Sequence, residues 1–287
     1  MKTLLGKENY LFLINDSSNE LNIHCDPNYI ISEINHYNNN NLDNYLLIIF
    51  PDKSVVCKDY LPDKYISQYR PGLHKYINIL NDKLIDGYDI LKTYNNFEKI
   101  FYKTDTHMTL LGTFRIIKYF FEYIKKKYNI DIDIDFNEIN IESKKVESIT
   151  SIPLGLGDLT WKNNCEDMVF TDLSDTYFYS NQIINLYEIR INEDIKILNY
   201  QLKDNTNNYI NSNLNWDIIS KNIIKKINYN KKYKILIFYD SFMLNIIDLL
   251  LNAFNEVYII KNIYNINLIN LIKPDYIFEF RVERFLF

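Results

Sequence analysis

Residues 234–241 read Lys-Ile-Leu-Ile-Phe-Tyr-Asp-Ser, and this stretch decides the fold. Lys234–Tyr239 is an apolar run of strand length with no alternation, the pattern of a strand covered on both faces, and it runs directly into Asp240-Ser241. Met243–Phe254 follows as a helix-length apolar segment whose polar residues, Asn245, Asp248 and Asn252, share roughly one face. Glu256–Lys261 (EVYIIK) is a second buried strand, Asn265–Ile272 a short helix closed by Pro274, and Tyr276–Phe280 (YIFEF) a third strand. Strand, helix, strand, helix, strand in so short a span predicts a parallel sheet with crossover helices.

Working outward, Tyr45–Phe50 (YLLIIF) predicts another buried strand, stopped by Pro51-Asp52. Leu73–Leu84 has helical periodicity, and Tyr88–Leu91 (YDIL) predicts a further strand. Leu110–Tyr128 is a long amphipathic helix ending in Lys125–Lys127, charges that suit the negative end of a helix dipole. Asp131–Phe136 alternates Asp with Ile or Phe, which predicts a strand with one wet face. The expectation is a single three-layer α/β domain over residues 1–287, with a mainly parallel sheet and irregular insertions between 130 and 230.

Composition excludes several classes. The 287-residue chain is 47% hydrophobic and 24% charged, enough for a sizeable core and against a disordered chain. Its apolar runs, such as Leu46–Phe50 and Leu249–Leu251, are far too short to span a bilayer. A net charge of -5, with no basic block longer than Lys125–Lys127, argues against nucleic acid as a partner. Cys25, Cys57 and Cys165 are widely separated and offer no Cys-x-x-Cys pair, so reduced packing thiols are expected. Met1–Asn15 is broken by Gly6, Lys7, Glu8 and Asn9 and contains no secretory apolar core, which predicts a cytoplasmic location.

Candidate chemistry sits in four places. Ser241 follows a strand of a parallel sheet at the start of a helix, where ligands bind and backbone N–H groups can meet an oxyanion; a helix cap is the plain alternative. Asp105 and His107 are spaced so that the carboxylate could hold Nδ1 and leave Nε2 to take a proton, although a D-x-H triplet is also a common helix start. Gly155-Leu156-Gly157-Asp158 predicts a tight turn, near a substrate or merely at a corner. Arg281, Glu283 and Arg284 crowd the end of the last strand, as a surface ion-pair cluster or as an anion or carbohydrate contact. Asp131-x-Asp133-x-Asp135 lacks the Gly and Glu of a calcium loop, and His24, His36 and His74 have no partners at ligand spacing. No metal or cofactor is expected.

The blocks occur in a telling order: Gly6-x-x-x-Tyr10-Leu11-Phe12-Leu13, Phe50-Pro51-Asp52-Lys53-Ser54-Val55-Val56, Phe101-Tyr102-Lys103-Thr104-Asp105-Thr106-His107 with Gly112, Gly157-Asp158-Leu159, Tyr239-Asp240-Ser241-Phe242, Lys273-Pro274-Asp275 and Glu283-Arg284. This resembles the SGNH hydrolase-like domain of the alginate-type polysaccharide O-acetyltransferase family. The resemblance implies a flavodoxin-like fold with permuted motif order, Ser241 as nucleophile, His107 as base and Asp105 as its orienting carboxylate. It further implies a substrate or oxyanion role for Gly157, Asp158 and Arg284. Met108 stands where the family has a tryptophan, an exchange expected to loosen substrate stacking.

The implied activity is transfer of an acetyl group through acetyl-serine onto a hydroxyl of a glycan or polysaccharide acceptor. In the family the donor side is a membrane acyltransferase partner, and members work outside the cytoplasm. Two other readings use the same sequence: a carbohydrate acetylesterase, with water as acceptor, and a non-catalytic carbohydrate-binding scaffold.

Overall fold

In the computed structural model the strands of the sequence reading line up side by side. It describes residues 2–14, 18–29, 43–66, 69–94, 100–103, 105–132, 134, 141–144, 159, 176–179, 223–227 and 231–286. Strand β1 (Lys2–Leu5) pairs antiparallel with β2 (Leu11–Ile14), and β5 (Ile141–Lys144) with β6 (Thr176–Tyr179). The central sheet contains β3 (Tyr45–Phe50), β4 (Leu84–Asp86), β7 (Ile223–Ile227), β8 (Lys234–Tyr239), β9 (Glu256–Ile260) and β10 (Tyr276–Val282). Its order is β4-β3-β10-β8-β9-β7, parallel throughout except for β7, which runs antiparallel along β9.

Counting the parallel strands from β8 instead of β3 turns this order into 2-1-3-4-5, that of a flavodoxin-like sheet with its chain order permuted. The topological switch point then falls between β8 and β10. Ligands of doubly wound sheets bind at that crevice, beyond the carboxyl ends of the strands.

Helices cover both faces. Helices α4 (Gly87–Leu91), α5 (Leu110–Tyr128) and α6 (Ile247–Ala253) pack on the face presenting Leu46, Ile48, Ile237 and Phe280. Helices α3 (Pro71–Leu80) and α7 (Ile266–Ile272) pack on the opposite face, against Leu47, Ile49, Leu236 and Phe238. Short helices α1 (Glu20–Cys25) and α2 (Lys53–Val56) lie before and after β3. The crossovers β8 to β9 and β4 to β8 run one way across the sheet and use the first face. Those from β9 to β10 and β3 to β4 run the other way and use the second. All therefore share one hand, as crossovers in a twisted parallel sheet do. Among the described residues no helix is long and apolar enough to cross a membrane.

Some local expectations are corrected. Tyr88–Leu91 is helical, because the Asp86 carboxylate accepts a hydrogen bond from the Tyr88 N–H (3.0 Å) and caps α4; the strand there is Leu84–Asp86. Helix α3 stops at Leu80, where Asn81 takes a positive φ of 49°, so Leu84 joins the sheet beside Leu47. The segment after Ser241 begins as a 3-10 helix over Ser241–Ile246 before α6. Of Asp131–Phe136, residues 131, 132 and 134 are described and carry no strand; the rest lies outside the described residues, as do Cys165 and His36. Cys25 and Cys57 are free thiols, and burial pushes the Cys57 thiol up to about 12.

Phe120 of α5 stands edge-on to Phe278 (5.0 Å) and Phe280 (5.2 Å) and is fully buried. Phe120→Ala leaves a cavity between helix and sheet. It should cost about 3–5 kcal/mol in denaturant unfolding.

Candidate active site

Ser241 opens the 3-10 turn that follows β8, its position fixed by the preceding residue. The Asp240 carboxylate accepts hydrogen bonds from Phe242 N–H (3.0 Å) and from Val282 N–H at the end of β10 (2.6 Å). It thereby clamps the serine turn to the neighbouring strand across the switch point. Burial pushes the Asp240 carboxyl above its ordinary value, although both backbone donors favour the ionised form.

The turn over residues 101–108 carries the other two side chains. Its neck is closed by the antiparallel bridge between Phe101 and Met108 and by Thr109 N–H donating to Ile100 C=O (2.8 Å). Thr109 then caps α5 by accepting from Gly112 N–H (3.2 Å). Gly112 is required there, since a Cβ would lie 2.8 Å from the Ile100 carbonyl oxygen. Met108 is buried in the core at this neck.

At the tip, Asp105 Oδ1 accepts from the His107 backbone N–H (2.8 Å) and lies 2.7 Å from Nδ1 of the same residue. His107 Nε2 lies 2.9 Å from Ser241 Oγ. The structure therefore brings Ser241, His107 and Asp105 into one hydrogen-bonded line spanning 134 residues of sequence between His and Ser. The imidazole rests on the Phe242 ring (centroids 5.0 Å apart) and is 35% exposed, so its open side faces solvent. Gly157 and Asp158 lie outside the described residues. Leu159, next to them, is buried against Leu11 and Leu13 of β2, and its carbonyl accepts from Thr3 Oγ1 (2.7 Å).

Arg284 sits behind this line. Its guanidinium lies over the Phe242 ring (5.1 Å to the centroid) and donates to Asp52 Oδ1 (2.5 Å) and Glu20 Oε2 (3.3 Å). The Arg281, Glu283 and Arg284 cluster is buried, not a surface ion-pair cluster. Glu283 is bound by Arg70 through Nε (2.8 Å) and Nη2 (2.7 Å), and Arg70 also reaches Asp86 (2.8 Å). His24 Nε2 meets Asp52 Oδ2 (3.0 Å), and Ser54 Oγ donates to Glu20 Oε1 (2.5 Å). Sequence reading missed Glu20, His24, Asp52 and Arg70. A usable signal was present only at Asp52-Lys53-Ser54, three polar residues directly behind an apolar strand.

Burial raises the Glu20 carboxyl, and the charge of Asp52 adds to it, up to about 7. Burial opposes ionisation of Asp52 too, but the Arg284 charge and the His24 hydrogen bond overcome it and hold the carboxyl below its ordinary value. For His24, burial alone would lower the pKa, yet Asp52 and Glu283 raise it above the usual 6.5. Arg70 thus bridges Asp86 and Glu283, and Arg284 and His24 both contact Asp52.

No family model matches the chain, and no curated protein matches it in sequence. Solved structures share its fold. PatB1 of Bacillus cereus is similar with a TM-score of 0.57 at 14% identity, covering 85% of this chain and 83% of that one. A DHHW family protein from Eubacterium siraeum gives 0.54 at 16% identity, covering 85% and 78%. The O-acetyltransferase domain of AlgJ from Pseudomonas putida gives 0.52 at 12% identity, covering 99% and 92%. The fold is thus a three-layer α/β domain similar to that of PatB1 and of that AlgJ domain.

The folded-state pKa of Glu20 lies above its ordinary 4.5, so the stability it contributes is complete below that value and is lost as pH rises through about 7. His24, also raised, acts in the same direction from its usual 6.5 upward. Unfolding free energy should therefore fall between pH 5 and 8, by on the order of 2 kcal/mol. In Glu20→Gln that slope should flatten, as urea titrations at a series of pH values would register.

Proposed function

We propose that this protein is a serine acyltransferase that moves an acetyl group through acetyl-Ser241 onto a hydroxyl of a glycan. The observation that carries the reading is the Ser241–His107–Asp105 line, 2.9 Å and then 2.7 Å, at the carboxyl end of the sheet beside its switch point. The O-acetyltransferase domain among the similar folds supports the choice of acyl group. A second PatB1 structure, with a sulfonyl adduct, supports a reactive nucleophile on this architecture.

In the resting state Asp105 Oδ1 keeps the proton of His107 on Nδ1, which leaves the Nε2 lone pair to accept the Ser241 hydroxyl proton. Ser241 Oγ attacks the acetyl carbonyl as its proton passes to Nε2. The resulting imidazolium, stabilised by Asp105, returns that proton to the departing donor group and leaves acetyl-Ser241. The acceptor hydroxyl then takes the donor's place: His107 removes its proton, its oxygen attacks the ester, and Ser241 leaves as the alcohol. Gly157 and Asp158 are assigned to the oxyanion side by the family resemblance. Arg284, committed to Asp52 and Glu20, is assigned to support of Phe242 and not to the acyl group.

Incubation with p-nitrophenyl acetate should give an acetyl adduct in intact-mass spectra, and Ser241→Ala should give none. His107→Ala should suppress its formation, and Asp105→Asn should slow it about 10⁴-fold. Adduct of equal yield in Ser241→Ala would sink the assignment. Adding an oligosaccharide to the acetylated protein should yield acetylated sugar in excess over acetate, whereas acetate alone would make the protein an esterase.

A further inference from the structure

The 101–108 turn is fastened at its neck, but its tip carries Asp105, the group that must hold an imidazole to within a few tenths of an ångström. A bound neck does not by itself fix a tip. The tip is reached from outside by one buried cation, Lys53, at the start of α2. Its Nζ donates to the Lys103 carbonyl (2.8 Å) and to the Asp105 carbonyl (3.0 Å). The side chain is buried, and the ammonium lies 5.5 Å from the ring centroids of both Tyr10 and Phe12 on the N-terminal hairpin. That hairpin joins the same point, since Leu11 N–H also donates to the Lys103 carbonyl (2.9 Å).

We infer that Lys53 is a positioning residue: it sets the Asp105 carboxylate beneath His107 by gripping the main chain on which that carboxylate rides. The inference rests on the reading of Ser241, His107 and Asp105 as the reacting line. Physically, Asp105 Oδ1 serves two donors of His107 at once, so the carboxylate can turn little about its own bonds. Its place relative to the ring then follows the main chain of Asp105, whose carbonyl Lys53 holds together with that of Lys103. An ammonium is the fitting donor here. It can point two N–H groups at two carbonyls a short distance apart, and cation–π contact with Tyr10 and Phe12 offsets part of its burial. The neighbouring residue ties this grip to the base of the site, because Asp52 binds Arg284, whose guanidinium backs Phe242.

Lys53→Met keeps the apolar stem and removes both donated bonds. Acetylation by p-nitrophenyl acetate should slow about 10–100-fold, the loss expected from misplacing a catalytic group by a fraction of an ångström to an ångström, with KM little changed. In an Asp105→Asn background the same substitution should have almost no further effect, since the group it positions is already disabled. A rate equal to wild type, or an equal slowing in both backgrounds, would overturn the inference. A readout independent of turnover is the low-field proton resonance of the imidazole Nδ1–H held by Asp105. It should be present in wild type, lost in Asp105→Asn, and shifted upfield or lost in Lys53→Met; an unchanged resonance would overturn the inference. If wild type itself forms no adduct, the acyltransferase reading fails, and the resonance still decides the role of Lys53. Should Lys53→Met not fold, Lys53→Gln, which retains one donor, enters the same cycle with a smaller expected loss.

Discussion

Four adjacent strands of the sheet end in an acidic residue, and the way those carboxylates are neutralised holds the functional end of the molecule together. Asp86 closes β4, Asp52 follows β3, Glu283 follows β10 and Asp240 follows β8. In a low-dielectric setting none can remain ionised without a partner close by. Arg70 spans Asp86 and Glu283, Arg284 reaches back to Asp52, and Asp240 draws on two backbone N–H groups. The loops leaving these strands are therefore fixed relative to one another by directional bonds, not by apolar packing that tolerates sliding. Such pairs add little net stability compared with a well-packed apolar substitute, but they specify one arrangement.

From that base the reacting line is built on three supports that meet at the imidazole of His107. Asp105 fixes its tautomer, Phe242 supports its face, and Ser241 fixes the position of Nε2. Phe242 in turn contacts both that imidazole and the Arg284 guanidinium. Ser241 and Phe242 come from the 3-10 turn after β8 and Asp105 from the 101–108 turn, while Arg284, just beyond β10, backs Phe242. A change in any of these loops reaches the same ring.

The strands from 234 to 282 were legible because unbroken apolar runs of strand length alternate there with helix-length segments, the pattern of a parallel sheet with crossovers. Tyr88–Leu91 misled for the same reason: its composition suits a strand, and only the cap from Asp86, one residue before Gly87, makes it a helix. Ser241, Asp105 and His107 could be named because their blocks fall in an order that resembles a known family; each block alone reads equally well as a helix cap. Glu20, His24 and Arg70 could not. Glu283 lies 213 residues from Arg70, Arg284 lies 264 from Glu20, and Asp52 lies 28 from His24, and no local spacing announces such pairs. Arg284 looked like a ligand contact because sequence shows a charge at a strand end but not the carboxylates that surround it.

The permuted strand order has a consequence for how the molecule is made. Strand β10 lies between β3 and β8 at the middle of the sheet, yet follows every other strand in the chain. On a ribosome, β3 and β8 emerge with a gap between them that only β10 can fill. Contacts of such long sequence separation form slowly and leave unpaired edges exposed in the meantime. The line from Asp105 to Ser241 crosses that gap, so a nascent chain holds all three residues before it holds their geometry. That line can close only once β10 has been inserted.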